Sequence, residues 1–110
     1  MKLVIIESPF AGDTESNTRY ARMCVRDSLE RGEAPIASHL LYKQPGILDD
    51  NIPNERAWGI DAGLAWRVVA DLTAVYMDLG MSTGMEYGIK AAIESGNPVV
   101  YRTILLEDVE

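Results

Sequence analysis

The chain has 110 residues, 47% hydrophobic and 25% charged, which suits one soluble domain with a core of its own. Ten basic residues against seventeen acidic ones leave a net charge of −7, which disfavours a nucleic-acid backbone or an anionic membrane as partner, since both need a positive field. A small anionic ligand held by a loop or a helix end remains compatible with that charge.

The opening "MKLVIIESPF" is too short for a signal h-region and turns acidic at Glu7, so it reads as a first strand, Lys2 to Glu7, of a cytoplasmic protein. Its fully apolar middle suits a central parallel strand covered on both faces. "SPFAGD" breaks the strand, and a helix follows from about Glu15 to Arg31, with Tyr20, Ala21, Cys24 and Val25 at helical spacing and Gly32 as its stop. Cys24 is the only cysteine, so no internal disulfide forms, and its apolar neighbours predict a buried inert thiol.

"APIASHLLY", Ala34 to Tyr42, reads as a second strand running into a loop. It carries His39, the only histidine, so no zinc site is expected and no metal or cofactor is implied. "KQPGILDDNIPN" is a long connection of turn residues, with Asp49 and Asp50 as a solvated turn. A helix over Asn54 to Ala70 places Ala57, Ile60, Leu64 and Val68 on one face, with Trp58 and Trp66 as packing aromatics. Leu72 to Met77 is the third strand. The next helix begins near "STGMEYG" with Met85, Ile89, Ala92 and Ile93 as its core stripe, Gly96 ending it and Pro98 preventing its return. "PVVYRTIL" is the last strand and "EDVE" an acidic tail.

Strands alternating with helices imply a parallel sheet of four or five strands with right-handed crossovers, a three-layer α/β sandwich of flavodoxin type in a single domain over residues 1–110. Ligands of such folds bind beyond the carboxyl ends of the strands, near the switch in strand order. The candidate loops are therefore Ser8 to Asp13, His39 to Asp50 and Asp78 to Gly84. The first has backbone N–H groups suited to a phosphate or a sugar hydroxyl but lacks the glycine pattern of a nucleotide loop. His39 is placed to serve as acid, base or donor, or to bond a neighbouring carbonyl. Asp61 is either a satisfied helix-face acid or a functional carboxylate.

Glu86 also has two readings. Thr83 and Glu86 match a capping box, with Thr83 as N-cap and Glu86 at N3, and Lys90 completes an i,i+4 pair. The same helix start faces the ligand edge, where a carboxylate stays ionised and can act as a nucleophile.

"GMEYGIKAAIESGNPV", together with "LAWRVVADLTAVYMDL" and "VIIESPFAG", resembles the nucleoside 2-deoxyribosyltransferases and the related deoxynucleoside monophosphate N-glycosidases. The matching positions include Gly84, Met85, Glu86, Gly88, Gly96, Pro98, Val99, Trp66, Ala70 and Asp71. The resemblance implies a nucleoside or nucleotide-like ligand and a homo-oligomer, dimer or larger, whose neighbouring subunit completes the pocket. It implies that Glu86 attacks the anomeric carbon as the base leaves, with the glycosyl group passing to another base or to water. Ser8, Pro9, Phe10 and Gly12 would line the sugar or phosphate, Ser82 and Gly84 would offer hydroxyl and backbone contacts, and His39 and Met85 would also bind the substrate. The family keeps a second carboxylate three residues ahead of the position matching Trp66. Here that position is Gly63, and Asp61, two residues earlier, is the candidate to replace it. The alternative is a binding protein of the same fold that senses or sequesters a nucleotide-derived molecule without cleaving it, in a phage-related scavenging role.

Overall fold

The apolar run at the start of the chain lies in the middle of a sheet. In the computed structural model, which describes residues 1–105, strand β1 (Leu3–Glu7) pairs in parallel with β2 (Ala34–Ile36) on one side and β3 (Leu72–Tyr76) on the other. Strand β4 (Val99–Arg102) pairs in parallel with β3, giving the order β2-β1-β3-β4. The expected parallel α/β sheet of four or five strands is therefore present, with four strands among the described residues. The "EDVE" tail falls outside the described residues.

Side chains alternate across the sheet. Val4 and Ile6 of β1 and Leu72, Ala74 and Tyr76 of β3 pack against Tyr20 and Cys24 of helix α1 (Thr14–Glu30). Burying each large apolar side chain contributes roughly 1.5–3 kcal/mol. Cys24 is fully buried, and burial pushes its thiol up to about 12, as expected of an inert core cysteine. Asp13 caps α1 by accepting from the Ser16 N–H at 3.2 Å, and Gly32, at φ +80°, turns the chain into β2. The odd positions of β1, Ile5 and Glu7, face the other way, toward helix α4 (Thr83–Glu94), whose buried face is Met85, Gly88 and Ala92.

Several expectations are corrected. The second strand stops at Ile36, and "SHLLY" forms a short helix, α2 (Ser38–Tyr42). Leu40 and Leu41 donate their N–H groups to the Ala37 carbonyl, and the segment has no β-branched residue to hold it extended. Helix α3 (Pro53–Arg67) does not bury its predicted stripe: Ile60 is 41% and Val68 82% exposed, and the buried residues are Gly63 and Arg67. It packs against α2 as well as reaching the sheet edge, so its inward face need not be apolar. Neither Trp58 nor Trp66 is in the core, and Trp66 donates its indole N–H to the Tyr42 hydroxyl at 2.8 Å.

The remaining corrections concern α4. Its cap is Ser82, whose hydroxyl accepts from the Met85 N–H at 3.2 Å, while the Ser82 N–H points at the Met85 sulfur at 3.5 Å. The cap thus lies one residue before Thr83, and Glu86 falls outside the box. Lys90 pairs with Glu94 at 4.0 Å rather than with Glu86. Ile93, expected in the core stripe, is 64% exposed.

Candidate functional site

β1 lies between β2 and β3, so the connections leaving it and returning beside it run in opposite directions. The crevice beyond its carboxyl end is the topological switch point. A cleft of about 720 Å³ opens there, within the usual range for small-molecule sites. It is bounded by the loop after β1, by α2 and α3, and by the first turns of α4. A neighbouring recess of about 730 Å³ shares Phe10, Gly12, Lys43 and Asp50 with it and is closed by the loop 45–51.

The floor of the cleft holds an ion pair. Glu7, the last residue of β1, accepts a hydrogen bond on Oε2 from Nη2 of Arg67, at the end of α3. The Arg67 and Glu7 side chains are 8% and 13% exposed, so both charges are largely out of water. Arg67 also donates from Nη1 to the Gly63 carbonyl at 3.1 Å, while its Nε has no hydrogen-bond partner among the described residues. Burial pushes the Glu7 carboxyl up to about 7, against the opposing pull of the Arg67 charge and hydrogen bond.

Two glycines make room for this pair. A Cβ at Gly88 would overlap the Glu7 carboxylate and lie 2.7 Å from Arg67 Nη2. A Cβ at Gly63 would lie 3.1 Å from the Ser38 hydroxyl and 3.9 Å from Arg67 Nη1. Position 63 is buried, and a side chain there would need the Ser38 hydroxyl to give way by a few tenths of an ångström.

On the α2 side, His39 Nε2 and the Ser8 hydroxyl are hydrogen-bonded at 2.8 Å. His39 is the second residue of α2, not the end of a strand. Burial, with the Lys43 charge adding to it, lowers its pKa to about 4, so the ring is neutral at neutral pH. Phe10 meets the His39 ring edge-on at 6.4 Å, and the Lys43 ammonium stands 4.4 Å above the Phe10 ring. Lys43 also pairs with Asp50 at 3.5 Å, which ties α2 to the long loop.

Of the residues singled out in the sequence, Ser8, Phe10, Gly12 and His39 line one wall of the cleft, and Ser82, Gly84 and Met85 line the facing wall. Pro9 is buried behind the first wall and does not line it. Asp61 is exposed on α3 and outside the lining. Glu86 is exposed on α4, between the lining residues Met85 and Tyr87 but not itself among them. Two residues along a helix are a rotation of about 200°, so Glu86 lies on the side of α4 opposite Gly88 and the ion pair. Sequence reasoning missed Glu7, Arg67 and Gly88 as site residues. Their signal was a lone charge at the end of "VIIE" and another inside "LAWRVVA", each within an otherwise apolar stretch.

A family model described as a domain of unknown function (DUF7768) matches residues 2–102. No curated protein matches the sequence. Among solved structures, the chain is similar to the 2-deoxyribosyltransferase of the psychrotolerant bacterium Bacillus psychrosaccharolyticus, at 19% identity and a TM-score of 0.65, over 92% of this chain and 72% of that one. It is also similar to a 2-deoxyribosyltransferase from Leishmania mexicana, at 11% identity and a TM-score of 0.63, over 94% of this chain and 65% of that one. The chain thus spans under two thirds of the Leishmania protein. At these identities the relationship is one of fold.

Proposed function

The chain belongs to the family described as a domain of unknown function, DUF7768, and we propose that it acts, as a single 2-deoxyribosyltransferase-like domain, on the N-glycosidic bond of a nucleoside or nucleotide held in the cleft beyond β1. The observation that carries this reading is the cleft itself. It lies at the switch point and combines an aromatic face, Phe10, with hydrogen-bonding groups on Ser8, His39 and Ser82 and a buried carboxyl on its floor. The start of α4 supports an anionic or hydroxyl-rich group, because first-turn N–H groups favour such ligands. In this reading Glu86 is the nucleophile, Asp61 is an outer carboxylate of the site, and copies of the chain assemble as a dimer or larger over exposed apolar residues such as Trp58 and Val69.

A specific observation favours a second reading, binding without cleavage: both Glu86 and Asp61 stand outside the cleft lining. One experiment separates the two. The purified protein is incubated with a panel of nucleosides and nucleoside monophosphates, while free base is followed by chromatography and stability by thermal unfolding. The first reading expects base release, reduced on the order of 10³-fold or more by Glu86→Gln with the fold intact. A raised melting temperature with no base released supports binding alone. Neither effect across the panel removes both readings.

A further inference from the structure

The glycosidic reading requires a proton for the departing base, and the expected carboxylate position on α3 is a glycine. The floor of the cleft supplies a different acid. We propose that Glu7 is the general acid that protonates the leaving base, and that Arg67 is the positioning residue that fixes its carboxyl. This inference rests on the reading of the cleft as an N-glycoside site.

Three geometric observations carry it. First, Glu7 ends a central strand and lines the cleft; its own backbone pairs with Val75 of β3, and the strand is held on the other side through Ile5 and Ile36. Second, the space its carboxyl occupies exists because residue 88 has no side chain, and Gly88 itself lines the cleft. Third, Arg67 is anchored to the Gly63 carbonyl and engages Glu7 only through Oε2, which leaves Oε1 as the oxygen that can meet a ligand. A carboxyl held near neutrality by burial suits the task, since it is present in both protonation states at working pH. The charged and titratable groups that share the cleft with it are Arg67 from α3, His39 from α2 through Ser8, Tyr42, Lys43, Asp50, Glu55 and Arg56, and Tyr87 from α4.

The step balances without an oxidant or a metal. The C–N bond breaks with its electron pair on the base, and the Glu7 proton passes to a base nitrogen. Water captures the anomeric carbon, either directly or after a nucleophilic carboxylate has held it, and the Glu7 carboxylate takes a proton from that water. The net reaction consumes one water and yields free base and free sugar, with Glu7 again protonated. Whether Glu86 intervenes changes the number of displacements and not the role of Glu7.

The test compares two leaving groups. Wild-type protein and the variants Glu7→Gln and Arg67→Lys are assayed on a natural nucleoside, whose base leaves poorly without a proton, and on p-nitrophenyl 2-deoxyriboside, whose phenolate leaves unaided. A general acid at position 7 means that Glu7→Gln loses roughly 10²–10⁴-fold on the nucleoside but under about tenfold on the phenyl glycoside. It also means that the limb of the pH–rate profile near neutrality disappears in Glu7→Gln and moves in Arg67→Lys. Equal losses on both substrates would make Glu7 structural and overturn the assignment while leaving the glycosidic reading intact. No turnover of either substrate by the wild type would overturn the glycosidic reading and this inference with it. A carbon-13 titration of the Glu7 carboxyl in the wild-type protein needs neither variant nor substrate. Titration near neutrality supports the acid, and titration in the ordinary carboxylate range overturns it.

Discussion

Gly88 is a helical glycine whose replacement runs against the usual rule. In an exposed helix interior, alanine is more favourable than glycine by about 1 kcal/mol. At position 88 the added Cβ would overlap the Glu7 carboxylate and crowd Arg67, two side chains that are buried and hold each other in place. One or both side-chain ends must shift to admit it, which disturbs the ion pair, and overpacking of that kind typically costs about 1–3 kcal/mol. Gly88→Ala is therefore expected to lower stability by about 1–3 kcal/mol in urea unfolding. Gly84→Ala, whose new Cβ would meet nothing closer than the Ser82 hydroxyl at 4.0 Å, should not lower it. Equal stability of the two variants would mean that the ion pair yields easily. The residues of this cluster were only half legible in the sequence. The lone charges of Glu7 and Arg67 were visible, but their meeting depends on a long-range approach of α3 to β1 that no local pattern encodes.

Among the elements, helix α4 shows how tertiary packing selects between two acceptable caps. Ser82 and Thr83 are both good N-cap residues, and the spacing from Thr83 to Glu86 matched the capping-box rule better. Ser82 is the cap because this phase puts Met85, 1% exposed, under the first turn and Gly88 against Glu7. Ser82→Ala should cost about 1 kcal/mol of stability, and Thr83→Ala close to nothing, measured by thermal unfolding. The reverse ranking would restore Thr83 as the cap. Helix α3 failed in the opposite way. Its apolar stripe was legible, but the helix lies beside α2 and the cleft, so it buries Gly63 and Arg67 and leaves Ile60 and Val68 toward solvent. The short β2 was misread for a related reason: an edge strand of three residues carries too little pattern to mark its end.

For the whole molecule, the alternation of strands and helices made the parallel sheet legible, and with it the position of the cleft at the sheet's switch point. The electrostatics of that cleft couple to the stability of the entire domain with two opposite signs. Glu7 has a folded pKa raised from 4.5 to about 7, so its stabilising contribution is complete below 4.5 and is lost as pH rises toward 7. His39 has a folded pKa lowered from 6.5 to about 4, so its contribution is complete above 6.5 and is lost as pH falls toward 4. Between 4.5 and 6.5 the two slopes oppose each other, and wild-type stability should be nearly level there. Asp13 and Glu33, both held below their ordinary range by hydrogen bonds from Ser16 and Arg102 respectively, add a loss at lower pH that is common to all variants. Removing one group should expose the slope of the other. Glu7→Gln mimics the protonated carboxyl, and its stability should climb with pH up to about 6.5, because only the His39 slope remains. His39→Gln should instead decline in stability as pH rises from 4.5 to 7, because only the Glu7 slope remains. Urea midpoints of the three proteins across this range read the slopes directly. Profiles of the two variants that run parallel to the wild type would mean that neither group titrates differently on folding, and that the cleft floor stays an ordinary ion pair at neutral pH.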